Sequence, residues 1–299
     1  MFPIIPANSA ESFPTNDEGI FGFGNTGSRT AITNLVSNAG VVSSDVAGVG
    51  TARYAPGACE YGGDKGIFGF GNDGSRTAVT NLVSNAGVVS TDVAGVGTVR
   101  QDLQACTYGG DKGIFGFGYG PSAHSITNLV SNAGVVATDT AGVGSARYYV
   151  AATEYGGDKG IFGYGEGASY FAVTNLVSNA GVVSTDVAGV GTARVTLAAC
   201  KYGGNKGIFG YGYIESGSVV SMTNLISNVG VVSSDVAGVG TARRLCQACE
   251  YDGDKGIFAY GSPAARVSMS NLVSNAGVVS TDVAGVGTAR SSAAACSFN

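Results

Sequence analysis

The chain has no tryptophan, a single histidine (His124), three methionines and six prolines, and only 12% of its residues are charged. With one imidazole, the usual nucleophile–base–acid sets cannot be assembled, so neither an enzyme nor a cofactor is expected. Basic residues are few: 16 against 21 acidic ones, for a net charge of −5. Eleven of them recur at fixed repeat positions, and the rest are Arg29, Arg76, Lys201, Arg244 and Arg266. Phosphate binding needs a concentrated basic surface, so no nucleic acid partner is expected. No apolar run approaches the ~18–20 residues that cross a bilayer, and no membrane insertion is expected. The N-terminus, Met-Phe-Pro-Ile-Ile-Pro, lacks a basic stretch and is interrupted by two prolines, unlike a signal peptide. Synthesis in a cytosol is the expectation.

Glycine is the opposite extreme, at 50 residues. It does not recur every third position, which excludes collagen. Instead the phrase Gly-Ile-Phe-Gly-(Phe/Tyr)-Gly begins at Gly19, Gly66, Gly113, Gly160, Gly207 and Gly256, with Ala259 as the one departure. Each copy is followed by a near-constant Thr-Asn-Leu-Val-Ser-Asn-Ala-Gly-Val-Val and then Asp-Val-Ala-Gly-Val-Gly-Thr-Ala-Arg. Forty-seven residues separate Gly19 from Gly66, and a period of that size means a repeat architecture. The repeats fill residues 17–299 as one domain; residues 1–16 stand outside as an arm, with an apolar tip (Phe2 to Pro6) and a polar tether.

One unit, Arg53 to Arg100, reads as four short strands: Ala58–Tyr61, Gly66–Gly71, Thr80–Ser84 and Val88–Val93. Gly62-Gly63-Asp64-Lys65 and Asn85-Ala86-Gly87 supply the turns. Val, Ile, Thr and aromatic residues dominate the strands, and no helical period is present. Strict alternation along Gly66–Gly71 would place Phe68 and Phe70 on one face and leave the other hollowed by glycine, so that sheets stack knob into hollow. The expected fold is therefore all-β, a six-bladed β-propeller of four-stranded antiparallel blades. The first repeat lacks its first strand and the chain ends on a spare one, Ala293 to Phe298. That last strand is expected to join the N-terminal blade and close the circle, which removes sheet edges.

The unit resembles the kelch repeat: Arg53 ahead of the first strand, small residues within it, then Gly-Asp-Lys before a strand ending in glycine. The likeness covers nearly all of the chain after residue 16, although the tryptophan of the kelch fourth strand is missing. It implies a propeller and no site residue. The wording of the units also resembles repeat proteins of tailed bacteriophages, which implies a virion- or tail-associated protein.

Two segments of each unit vary while the remainder stays nearly constant. One links the second and third strands (72–79 in the second unit, 119–126, 166–173 and so on); the other follows the repeat arginine (54–57, 101–104, 148–151 and so on). In an up-and-down blade both emerge on the same face. Recognition is commonly carried by loops on a rigid scaffold, and Tyr, Arg, Ser and Gly are typical contents of such loops. Arg29, Tyr54, Arg76, Tyr119, His124, Tyr148, Tyr149, Tyr170, Phe171, Tyr213, Arg244 and Arg266 are the candidate ligand-binding residues. The expected partner is a host-surface glycan or protein, with other virion proteins engaged through the arm. An intracellular kelch-like adaptor and a purely structural assembly subunit are the alternatives.

The invariant Asp (Asp45, Asp92, Asp139, Asp186, Asp235, Asp282) and Arg (Arg53, Arg100, Arg147, Arg194, Arg243, Arg290) recur six times each. Six copies suit structure better than catalysis, with each Asp expected to accept hydrogen bonds from an Arg and so join blades. Asp followed by Val-Ala-Gly lacks the spaced oxygen donors of a Ca²⁺ loop, and the cysteines are too dispersed for zinc. Five cysteines (Cys59, Cys106, Cys200, Cys249, Cys296) share one repeat position with Thr153, which reads as a small buried site between units and not as a disulfide framework.

Overall fold

Each repeat contributes one three-stranded antiparallel sheet, and the computed structural model that describes residues 17–298 contains six of them. The first strands are Gly57–Tyr61, Gln104–Tyr108, Ala151–Tyr155, Ala198–Tyr202, Gln247–Tyr251 and Ala294–Phe298. Each pairs with a central strand: Lys65–Asn72, Lys112–Gly116, Lys159–Glu166, Lys206–Gly210, Lys255–Ala259 and, for the last, Glu18–Asn25. The third strands, such as Arg76–Val83 and Thr127–Val130, complete the sheets. No helix occurs among the described residues.

As the strand order predicts, the C-terminal strand lies against the N-terminal one, with Glu18 opposite Phe298 and Gly22 opposite Ala294. The first strands touch one another in the order Ala294–Phe298, Gly57–Tyr61, Gln104–Tyr108, Ala151–Tyr155, Ala198–Tyr202, Gln247–Tyr251, and the last of these touches the first again.

The expected fourth strand is reduced to two isolated bridges, Val83↔Val89 and Thr80↔Val93. Four residues separate Val89 from Val93 where three separate Thr80 from Val83, so a continuous ladder cannot form. The excess is absorbed by side chains. Leu82 N–H donates to the Ser90 hydroxyl, and Asn81 Nδ2 donates to the Ser90 carbonyl and to Asp92 Oδ1.

The central strand also departs from simple alternation. Its register shifts between Gly69 and Gly71, and Phe70 at that bulge has a left-handed backbone, φ 63°. Phe68 and Phe70 therefore face opposite neighbours. Phe68 packs edge-on against Phe23 of the preceding unit, with ring centroids 5.2 Å apart, and Phe70 packs the same way against Phe115 of the following one, also at 5.2 Å. The bulge recurs at Phe23 and Tyr164, and the left-handed backbone at Phe117, Tyr211 and Tyr260 as well, where the central strand ends just before it; all five have φ between 61° and 66°. Knob-into-hollow stacking holds for the first aromatic alone: a Cβ on Gly69 would stand 2.7 Å from Phe115 Cζ, and one on Gly22 would stand 2.8 Å from Phe68 Cζ. Each aromatic pair contributes about 0.5–1.5 kcal/mol beyond its burial.

The cysteines fill the companion hollow. A Cβ on Gly66 would meet Cys296 Sγ at 2.5 Å, one on Gly19 would meet Cys249 Sγ at 2.6 Å, and Thr153 does the same service beneath Gly207. All six cysteines are free and buried, and burial pushes their thiols up in pKa, Cys246 to about 11. Each apolar cluster draws on two neighbouring units, as where Ile67, Phe70 and Cys59 pack with Leu103, Ala105 and Phe115.

The six repeat arginines are fully buried, and their partners are not the expected ones. Arg100 Nε donates to the Phe117 carbonyl at 2.8 Å, Nη1 to the Thr98 carbonyl, and Nη2 to Asn128 Oδ1 at 2.6 Å. The nearest Asp139 oxygen is 3.9 Å away, an ion contact and no hydrogen bond. The aspartates instead accept from threonine or serine of the preceding unit, as when Asp92 receives Thr51 N–H and Thr51 Oγ1. Asp45 receives Thr288 in the same way, which ties the first unit to the last.

Candidate binding face

The two variable segments of each unit are hydrogen-bonded to each other. Tyr54 N–H donates to the Asn72 carbonyl and Asn72 N–H returns to Tyr54, at 3.1 and 2.9 Å. The same exchange joins Gln101 to Tyr119, Tyr148 to Glu166, Arg244 to Ser262 and Ser291 to Asn25. The constant turns meet at the other ends of the sheets, where Asn132 Nδ2 reaches Asp111 and Gly62 N–H reaches the Asp111 carbonyl of the next unit. Variation is thus gathered at one end of the sheets, as expected.

At the inner margin of that end, six residues hold a left-handed backbone: Ala55, Asp102, Tyr149, Thr196, Leu245 and Ser292, with φ from 51° to 57°. Their amides form a circuit. Asp102 donates to Ala55, Tyr149 to Asp102, Thr196 to Tyr149, Leu245 to Thr196, Ser292 to Leu245, and Ala55 back to Ser292, at 2.8–3.2 Å. Below it Gln104 Nε2 donates to Gln247 Oε1 at 3.2 Å across 143 positions of sequence. Deeper between the first strands, Lys201 Nζ lies 2.9 Å from Glu250 Oε2 and 3.6 Å from Glu154 Oε2. Those carboxylates hold the ammonium charged against the opposing pull of burial.

The predicted residues fall into two groups, the first of which reaches the circuit at Tyr149. Arg76 lies over the Tyr119 ring at 4.8 Å, Tyr119 contacts Tyr148 at 4.9 Å, and Tyr148 contacts Tyr149 at 4.8 Å. This row crosses three units and leaves each ring half-buried. Burial and the Glu166 carboxylate push the Tyr148 phenol up, and burial with Asp102 does so for Tyr149, so both stay protonated donors. Tyr54 is half-buried and near enough to Tyr149 to influence it electrostatically. The second group comprises Arg244 over the Tyr213 ring at 4.9 Å, and Tyr170, whose N–H donates to Glu215 Oε1 at 3.1 Å. Phe171 is half-buried beneath its own loop, close to Gly167.

Three candidates stand apart. Arg29 is exposed beside Gly74, and Arg266 is exposed on the sixth unit. His124 turns its ring inward: Nε2 is buried without a hydrogen-bond partner, the backbone N–H donates to the Gly118 carbonyl, and burial with Arg100 lowers the imidazole pKa. The residue as a whole is half-buried. Sequence reasoning passed over Asp102, Gln104 and Gln247. The available signal was composition, because Gln101, Gln104 and Gln247 are the only glutamines in the chain.

Asp102 is partly buried, and burial raises its pKa to about 6, moderated by Gln101 Nε2 donating at 2.8 Å and by the charge of Arg76. Among the described residues no group of three His, Cys, Asp or Glu side chains is placed to hold a metal ion. The arm, residues 1–16, lies outside the described residues. No family model matches the chain, and no curated protein matches it.

Proposed function

We propose that the six sheets are the blades of a closed six-bladed β-propeller, and that the protein is a non-enzymatic recognition module. Its variable face binds a surface glycan or protein, in the setting of a bacteriophage virion or tail that the repeat wording suggests. The closed circuit of six amide hydrogen bonds and the pairing of the two terminal strands support the propeller.

One observation carries the recognition reading. Side chains that differ between units gather at one end of the sheets, where aromatic and arginine side chains are half-exposed, while the turns at the other end keep one sequence. Neutral change in exposed loops would touch both ends alike. Rigid aromatic rings with adaptable small polar neighbours suit binding at low entropic cost.

The test is a glycan array and a host-cell binding assay on the protein and on a variant whose 166–173 loop is replaced by the 72–79 sequence. Binding that weakens at least tenfold in the variant supports the proposal. Binding unchanged by the exchange, or absent from every surface, overturns it.

A further inference from the structure

Left-handed backbone is unfavourable for residues with a Cβ by roughly 1–2 kcal/mol, and glycine or asparagine normally occupies it. This chain keeps glycine at other left-handed repeat positions, such as Gly24, Gly71, Gly118, Gly165, Gly212 and Gly261. At the inner circuit it never does so, although the backbone there is equally left-handed. It places six different side chains, including β-branched Thr196. Retaining a side chain against backbone preference, differently in every unit, marks a position chosen for what it presents.

What it presents is a small chamber. Asp102, Tyr149, Thr196, Leu245 and Ser292 stand around it, and the Gln104–Gln247 bridge crosses its floor. The chamber is partly open and its space is about 30 Å³, room for a small group and too little for a sugar ring. Asp102 is the one charged side chain on its wall. Its carboxylate accepts a hydrogen bond from Gln101. Tyr149, Thr196, Ser292 and the two glutamines supply the other polar lining, and the rest is apolar, with Leu103, Val150 and Leu197 among it. Acceptor oxygens, one negative charge and an aromatic ring together favour a compact cation with three N–H donors over an anion or a neutral hydroxyl.

We infer that the chamber at the centre of the variable face is a binding site for a primary ammonium group, taken between Asp102, Tyr149 and the Gln104–Gln247 bridge. The inference rests on the reading of this end as a recognition face, and it names the chemistry that the face selects. Either an amino sugar or a lysine side chain can deliver such a group.

The three glutamines make the site observable. Their side-chain amide signals in the ¹⁵N spectrum of the whole protein would be followed during titration with ethylammonium, D-glucosamine and Nα-acetyl-lysine amide. Glucose and tetramethylammonium serve as uncharged and oversized controls. Saturable shifts of the Gln104 and Gln247 signals are expected with ethylammonium and absent with the controls, and the stronger of the two larger probes identifies the source. Asp102→Asn should weaken binding at least tenfold with backbone signals elsewhere unchanged, Tyr149→Leu several-fold, and Lys206→Ala, in a constant turn at the other end, not at all. No saturable shift in millimolar ethylammonium, or equal binding by Asp102→Asn, overturns the inference. Surface binding that is lost only on loop exchange speaks to the recognition reading and leaves the chamber to this titration.

Discussion

The Arg53 guanidinium lies 4.0 Å over the ring of Phe23, a residue of the preceding unit. Its Nε donates to the carbonyl of Phe70 in its own unit, so one fully buried cation spans two sheets. The stacking recurs at all six junctions, at 3.9–4.4 Å, and the Nε donation at five; Arg290 donates instead from Nη2 to the Phe21 carbonyl. Each arginine is thus a rivet whose planar head serves stacking and donation at once, which lysine cannot reproduce. Arg147→Lys is expected to destabilise the protein by about 2–4 kcal/mol, from lost charge-assisted bonds and stacking. Urea unfolding checks this, and a loss below about 0.5 kcal/mol would contradict it.

The hollow beneath each aromatic knob predicts a compensating pair. Gly69→Ala puts a methyl 2.7 Å from Phe115 Cζ and should cost about 1–3 kcal/mol. Combining it with Phe115→Leu should cost less than the sum of the two single changes. A double-mutant cycle by thermal melting measures the coupling, and strict additivity would argue against direct contact.

Asp102 gives the stability a pH signature. Its folded-state pKa of about 6 lies above its ordinary value of 3.8, because burial disfavours the charge. The folded chain therefore holds this proton more tightly than the unfolded one does. The associated stability is fully present below pH ~4 and is lost as pH rises through 6. Asp102→Asn should exceed the parent by on the order of 2 kcal/mol at pH 8 and match it near pH 4. Denaturant titrations at the two pH values decide it.

The aspartate–threonine staples have the opposite sign. Hydrogen bonds from Thr98 and Asn128 hold Asp139 below the ordinary carboxylate range despite some burial. The stability they add is present above pH ~4 and lost as pH falls through the lowered pKa. Asp139→Ala is expected to cost about 1–2 kcal/mol at pH 7 and less near pH 2. An equal loss at both pH values would show that packing, and not the carboxylate, is responsible.

Truncation after Ala293 removes the strand paired with Glu18–Asn25 and uncovers Gly66, against which Cys296 packs. An uncovered edge of this kind invites pairing between molecules. The shortened chain is expected to elute as dimers or aggregates in size-exclusion chromatography. A monomer with unchanged melting temperature would mean that the last strand is dispensable.

Much of this was legible in the sequence. Period-two patterning and the turn glycines marked the three strands of each unit and a fourth that the structure reduces to isolated bridges, and the incomplete first repeat marked the pairing of the first and last strands. The Phe70 reversal was not legible, because alternation assumes β dihedrals and nothing in Gly-Phe-Gly announces a left-handed aromatic between two glycines. The fate of Asp92 was missed because its partner, Thr51, belongs to a different unit, and the recurring Arg offered the opposite charge. The aromatic row of the variable face followed from loop composition. His124 shows the limit of that inference, since membership of a loop does not say which way an imidazole turns.

The circuit of amides also constrains how a gene for this protein can change length. Tandem copies this similar are prone to recombination that drops or adds a whole 47-residue stretch. In a linear stack such an event would only shorten or extend the array. Here six residues complete the circuit that returns to Ala55, so the loss or gain of a copy has to break that circuit and remake it.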